Sequence, residues 1–292
     1  MKSSYYKYFA ALLLFGSNGI VASNINLPSY EIVLLRLLLG SLFLITVFTV
    51  SRQRFTFYRN KHTCLYLFIS ASAMGASWML LYEAYQQVGI SIASLAYYCG
   101  PVIVMILSPF LFRETLTWPK IAGFLTVLAG MCLVNLQALD EGKTIWGLFC
   151  GLMSAFMYAL MVTANKKAKP ESGLENSLLQ LVIGSFIVVA FVSMQKNFVL
   201  SLTTIDWIPV LLLGLLNTGI GCYLYFSSIT DLPVQTVAIC GYLEPLSAVV
   251  FSVLFLHEVL LPLQMLGAVL ILGGAIFGEC FKPEKPQRPQ QK

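Results

Sequence analysis

Charge is scarce in this chain. Of 292 residues, 11% are charged and 58% are hydrophobic, so there is too little polar surface to cover a soluble globule of this length. The motifs of several chemistries are missing too. No GxxxxGK[ST] loop is present to cradle a nucleotide phosphate, which argues against ATP coupling within the chain, and HExxH, GxSxG and paired acidic metal motifs are absent as well. The sequence therefore points away from an enzyme, and it calls for no cofactor and no metal. Seven cysteines (Cys64, Cys99, Cys132, Cys150, Cys222, Cys240, Cys280) stand singly, without CxxC spacing or a histidine pair nearby, and read as small apolar packing residues.

Long apolar runs are what the chain has instead. With a mean hydropathy of +0.80, it shows ten such runs, at about 5–24, 30–50, 64–86, 91–112, 119–137, 145–165, 176–195, 207–227, 234–256 and 261–281. Each approaches the ~20 residues a helix needs to cross a bilayer, and none alternates as a barrel strand would. The expected fold is an all-α membrane protein of ten transmembrane helices.

The chain is also written twice. Shifted by 144 positions it lies on itself without a gap, EIVLLRLLLGS at 31–41 falling on ENSLLQLVIGS at 175–185, and LSPFLFRETL at 107–116 on FSVLFLHEVL at 251–260. Pro101 falls on Pro245, and Gly123 and Gly130 on Gly267 and Gly274. One constant offset indicates duplication. The expected domains are a five-helix repeat at 1–140, a second at 141–281, and a disordered cytoplasmic tail at 282–292 rich in Pro, Gln and Lys. An odd number of helices per repeat forces the second to enter from the opposite side, an inverted 5+5 arrangement in which substrate sits between the repeats.

Basic residues orient it. With the N-terminus inside, Lys2, Lys7, Arg52, Arg54, Arg59, Lys61, Arg113, Lys120, Lys166, Lys167, Lys169, Lys282, Lys285, Arg288 and Lys292 are cytoplasmic, and only Lys143 and Lys196 face out. Both termini are expected inside by the positive-inside rule, with Arg113 inside and His257 outside. The net charge of +5 thus reflects topology and gives no reason to expect nucleic acid as a partner. The basic loop at 51–62 is topogenic charge, with anionic lipid as its alternative ligand. Lys2 and Lys7 before an apolar run resemble a signal peptide, but the match of that run to the sixth helix makes it helix one.

FGSN in helix one, an arginine before a Gly-Ser pair in helix two, YYCGP in helix four, and the helix-ending FRETLT and LHEVLL together resemble the drug/metabolite transporter (DMT) superfamily, in its EamA branch. The resemblance covers essentially the whole chain. It implies a 5+5 inverted fold that moves small polar metabolites by alternating access, commonly as an exporter of amino acids or related compounds, in the cytoplasmic (inner) membrane of a bacterium. An uptake carrier or an exporter of cationic compounds is the alternative within transport. A channel or signalling subunit without a transport cycle is the alternative outside it. The expected partners are a small-molecule substrate, amino-acid-like or cationic, and the lipid bilayer, with proton coupling to be tested; a monomer suffices, and the sequence does not set the oligomeric state.

Site candidates come from where the repeats differ. Arg36 lies on Gln180, Glu83 on Ser227 and Glu244 on Gly100, so three intramembrane charges have neutral mates. Ionisable groups at that depth are costly and are functional candidates by default. Glu244, near the midplane, is a candidate for proton coupling or as counter-ion to a cationic group, against a protonated structural glutamic acid. Arg36 and Glu83 read either as a buried ion pair or as a pair that opens to let Arg36 clamp a carboxylate. Trp78 and Tyr82 in helix three, Tyr97 and Tyr98 in helix four and Tyr242 in helix nine are substrate-lining candidates, against ordinary packing or an interfacial belt. Asn18 either joins helices or faces the cavity. Gly100, Pro101 and Pro245 are expected to act as hinges, because proline removes a backbone donor. Glu31, Glu175, Glu114 and Glu258 suit the positive ends of the helices they precede, and Gly123, Gly130, Gly267, Gly273 and Gly274 suit close packing.

Overall fold

A computed structural model describes residues 2–134, 145–194, 207–256 and 262–281. Among these the chain is helical without strands. It runs α1 (Lys2–Gly16), α2 (Asn18–Ser23), α3 (Ser29–Val50), a 3-10 turn (Phe57–Arg59), α4 (Lys61–Tyr97), α5 (Cys99–Phe112), α6 (Trp118–Val134), α7 (Ile145–Ala168), α8 (Gly173–Ser193), α9 (Trp207–Leu211), a π-helical stretch (Leu212–Ile220), α10 (Gly221–Ile229), α11 (Val234–Gly241), α12 (Leu243–Leu256) and α13 (Pro262–Cys280). Among the described residues, six stretches are long and apolar enough to cross a membrane: Tyr30–Val50, Lys61–Val88, Ile145–Ala168, Gly173–Ser193, Trp207–Ile229 and Val234–Phe255. Cys99–Phe112, Trp118–Leu133 and Met265–Gly278 are shorter apolar helices. The tail, His257 and Glu258, Lys143 and Lys196, and the loop at 136–144 lie outside the described residues.

Two boundaries differ from the sequence reading. The turn expected between the third and fourth runs is absent, and α4 continues to Tyr97. No proline interrupts residues 61–97, so nothing in the local sequence forces a stop. The second difference concerns the breaks. α5 begins after Tyr98 and α12 after Tyr242, three residues ahead of Pro101 and Pro245. A proline nitrogen cannot bond the carbonyl four residues back, so the ladder loosens at that point. Tyr98 and Tyr242 are repeat mates and carry nearly the same backbone, φ −70 and ψ −1 against φ −71 and ψ −6.

Small residues let the helices approach. A Cβ on Gly123 would sit 2.5 Å from the Gly274 carbonyl oxygen, and one on Gly130 would sit 2.6 Å from that of Gly267. Because 267 and 274 are the mates of 123 and 130, α6 and α13 pack antiparallel in a reciprocal, two-fold-like contact. Gly273 is different, since nothing lies within 4 Å of its Cβ position, and it takes no part in this packing. Gly75 meets Gly184 in the same close manner, at 2.8 Å from its carbonyl oxygen. Across α4 and α7, Ser77 Oγ donates to the Ser154 carbonyl at 2.9 Å, and Ser154 Oγ returns a bond to the Ser77 carbonyl at 2.7 Å.

One end of the bundle gathers the basic loops. Thr63 Oγ1 donates to the Ala168 carbonyl (3.0 Å), Lys120 Nζ to Gln235 Oε1 (2.7 Å), and Ser4 Oγ to Asp231 Oδ2 (2.8 Å). Lys166 caps the end of α10, donating to the carbonyls of Ile229 (3.3 Å), Thr230 (2.5 Å) and Leu232. Arg52, Arg113 and Lys169 turn the chain there with positive φ of 52, 55 and 48. A cavity of about 320 Å³ opens at this end beside Thr56, His62, Lys167, Lys169 and Glu175, apart from the intramembrane charges.

Candidate functional site

Arg36 is 6% exposed on α3, and it takes one neighbour from each half of the chain. Its Nε donates to Thr218 Oγ1 at 2.9 Å, and its guanidinium lies 4.5 Å from the centre of the Trp78 ring. Thr218 can accept that bond because its own hydroxyl proton goes to the Leu213 carbonyl, five residues back, at 2.8 Å. The π-helical winding of Leu212–Ile220 brings those two atoms together, and such windings recur at functional sites. Among the described residues, Nε is the side-chain atom of Arg36 that makes a hydrogen bond.

Glu244 is half-buried in the first turn of α12, and its carboxylate makes no hydrogen bond among the described residues. Arg36 is within electrostatic reach of it, as are Tyr8, Tyr97, Tyr98 and Tyr158. No ion pair joins Arg36 to Glu244. A cation and a carboxylate therefore share one intramembrane region, and each keeps bonding capacity unused. An uncompensated charge at this depth needs a partner, whether water or a ligand.

Tyrosine rings cluster in this region. Tyr97 lies 5.5 Å from Tyr158 and 5.8 Å from Tyr98, and Tyr8 lies 5.6 Å from Tyr225. The hydroxyls of Tyr158 and Tyr225 are 3.3 Å apart, and Tyr242 donates to the Tyr98 carbonyl at 2.7 Å, tying the two break points together across the repeats. The mate of Glu244 is neutral for a steric reason. A Cβ on Gly100 would stand 2.7 Å from the Tyr158 ring, so that position belongs to the ring. The mate of Arg36 is likewise committed: Gln180 is fully buried, accepts from Ser70 at 3.1 Å and donates to Asn176 at 3.4 Å.

The expected Arg36–Glu83 pair does not form. Glu83 lies toward the other end of the bundle, where it accepts from Tyr30, from Gln87 at 3.2 Å and from Trp146 Nε1 at 3.4 Å. Those donors replace the arginine as its partners. Tyr82 packs edge-on to Tyr85, with ring centres 5.2 Å apart. Asn18 follows the break at Ser17 and accepts from Asn217 Nδ2 at 3.0 Å, and the same amide donates to the Leu14 carbonyl and Ser17 Oγ, both at 2.8 Å. Asn18 thus joins helices in this conformation.

Asn217, Thr218, Tyr158 and Tyr8 lie around the candidate site and are not singled out by the sequence alone. A signal existed for the first two: they lie on Ala73 and Met74 in the other repeat, the same polar-on-apolar mismatch that singled out Arg36. Glu31 and Glu175 stand in the first turns of α3 and α8 as expected, and Glu175 and Glu114 also reach across the halves. Glu175 accepts from the backbone N–H of Thr56 (2.5 Å) and Phe57 (2.9 Å) and from Thr56 Oγ1 (2.6 Å), and Glu114 accepts from the N–H of Val234 (2.8 Å) and Gln235 (3.1 Å). Each caps a segment of the opposite half, because an N-terminal N–H pair is the stronger donor available.

An all-helical, multi-pass membrane protein with unpaired charges buried among aromatic rings has the architecture of a transporter. The EamA-like transporter family model matches the chain twice, over residues 3–136 and 145–278, and the chain belongs to that family, within the DMT superfamily. It is 27% identical over 275 residues to the protein described as "Uncharacterized transporter YxxF" of Bacillus subtilis, covering 92% of this chain and 86% of that one. It is also 27% identical over 243 residues to the threonine/homoserine exporter RhtA of Escherichia coli K12, covering 83% of this chain and 79% of RhtA. A crystal structure with 17% identity superposes with a TM-score of 0.81, covering 95% of this chain and 98% of that one, and shares its fold. The chain is a transporter and not an enzyme.

Proposed function

We propose that this protein exports small zwitterions of the amino-acid type by alternating access, the substrate lying between Arg36 and Glu244. The observation that carries the reading is that pair of opposite charges within the apolar helices, not joined to each other by an ion pair. Arg36, held by Thr218 and Trp78, offers its terminal nitrogens to a carboxylate, and a guanidinium fork suits that anion. Glu244 offers a carboxylate to an ammonium group or exchanges a proton with it. Likeness to RhtA favours threonine- or homoserine-sized substrates and the outward direction.

The arrangement proposed around the site is ten spans in two inverted repeats, 1–140 and 141–281, with both termini in the cytoplasm of a bacterial cell and the basic end facing inward. Gly100-Pro101 and Pro245 serve as the hinges. Proteoliposome counterflow tests this directly: threonine or homoserine trapped on one side accelerates uptake of the labelled compound from the other, and an unchanged rate with both compounds contradicts the proposal. In Glu244→Gln, which keeps shape and loses ionisation, a pH-dependent rate becomes flat, and a retained pH profile removes Glu244 from coupling. A second reading, export of organic cations, is favoured by the tyrosines around Glu244, since aromatic faces attract cations. Competition by a quaternary amine without a carboxylate, and none by threonine, selects it.

A further inference from the structure

We infer that Glu175 and Glu114 are positioning residues that latch the two halves of the chain together at the basic face, and that each must release its capped backbone for the transporter to change face. The inference rests on the alternating-access reading above but not on the identity of the substrate.

The geometry starts from the two caps. Glu175, at the start of α8, is 1% exposed, and its carboxylate holds three donors that all belong to the turn after α3 in the other half. Glu114 does the reverse: it follows α5 in the first half and holds the first two N–H groups of α11 in the second. α11 leads directly into the break at Tyr242 and so to Glu244. The Glu114 cap is thus mechanically continuous with the charged site. Caps of this kind are charge-assisted, and each ties a carboxylate of one half to backbone N–H groups of the other.

Repeat symmetry gives the second observation. The mate of Glu175 is Glu31, at the start of α3. Residues 29–50 form a helix of 22 residues, about 33 Å long at 1.5 Å per residue, so Glu31 stands at the opposite end of the bundle from the Thr56 turn. Tyr30, beside it, meets Phe191 near the far end of α8, with ring centres 5.7 Å apart. Glu31 is 7% exposed, yet its Oε2 has no hydrogen-bond partner. The same carboxylate is satisfied on one face and left open on the other. That is the asymmetry expected of a carrier caught with one face latched.

Hydrogen–deuterium exchange on the full-length protein in nanodiscs tests the inference without any substrate. In Glu175→Gln, exchange rises in the peptide containing Thr56 and Phe57. If Glu175 is a latch, it also rises about five- to a hundredfold in the distant peptide containing Val234 and Gln235, the range of ordinary coupling between sites, and it falls in the first turns of α3. Glu114→Gln gives the mirror result, loosening 56–57 as well as 234–235. Exchange that rises only at the local cap in both variants overturns the inference and leaves plain structural capping. Should Glu175→Gln fail to fold, Glu114→Gln carries the test, and failure of both to fold also overturns it. A negative counterflow result with threonine leaves these outcomes unaffected, so the two readings fail separately.

Discussion

Gly16 offers a sharp test of how the site is held. It is the last residue of α1, and a Cβ built there would fall 1.9 Å from Ser247 Oγ and 2.9 Å from both Ser247 Cβ and the Glu244 carbonyl oxygen. The serine hydroxyl could rotate away, at the expense of its bonds to the Glu244 carbonyl (2.8 Å) and the Leu12 carbonyl (3.3 Å). The Cβ and the carbonyl cannot rotate, so α1 must move off α12. Overpacking of this kind costs about 1–3 kcal/mol, and losing the interhelical hydrogen bond adds about 1 kcal/mol. Gly16→Ala is therefore expected to destabilise the protein by about 2–4 kcal/mol, the sum of those two ranges. It should also lower transport, because the clash lies on the turn that carries Glu244. The assay is thermal denaturation of purified protein, run as a double-mutant cycle with Ser247→Gly, which removes both clashing side-chain atoms. The double variant should recover at least about 1 kcal/mol relative to additivity. A fully stable Gly16→Ala, or strictly additive losses in the cycle, would show that α1 does not press on Glu244 as described.

Three further outcomes follow from the same geometry. Arg36→Gln and Glu83→Gln should give losses that add to within about 0.5 kcal/mol in a melting-temperature cycle, since the two residues have no partner in common; a strong coupling would restore the ion pair. Thr218→Val leaves Arg36 Nε unpaired, at about 1–3 kcal/mol, and should raise the KM for transport more than it lowers expression; an unchanged KM would remove Thr218 from positioning the arginine. Single cysteines placed at 54, 113 and 169 should react with impermeant maleimide only in inverted vesicles or permeabilised cells, and labelling of intact cells would reverse the proposed orientation.

The helical architecture was largely legible because each apolar run needs its own backbone bonds satisfied in lipid, and that requirement is local. Prolines at 101 and 245 marked the two breaks for the same reason. The break at Ser17 was not legible, since the Leu14 carbonyl and the Ser17 hydroxyl there accept from Asn217, two hundred residues away. Nor was the π-helical winding at 212–220, which serves Thr218 and through it Arg36. The charged site was half legible. Mismatched repeat mates located Arg36 and Glu244, but spacing along helices suggested Glu83 as the partner of the arginine, and only tertiary packing shows that Glu83 is occupied by Tyr30 and Trp146. Tyr158 was invisible for a related reason: it fills the space above Gly100, a contact no periodicity encodes.

The central claim is that Arg36 and Glu244 hold the two ends of one zwitterion. Its most direct test is competition in proteoliposomes, with labelled threonine as tracer and with threonine amide and N-acetylthreonine as competitors, in Arg36→Gln and Glu244→Gln variants whose folding has been checked. Each analogue lacks one charge, so in the unmodified protein both should compete at least about tenfold less well than threonine, a loss of 1.4 kcal/mol or more. Arg36→Gln should erase the discrimination against the amide alone, and Glu244→Gln the discrimination against the N-acetyl compound alone. Analogues that compete as well as threonine, or variants that shift both discriminations equally, would contradict the account.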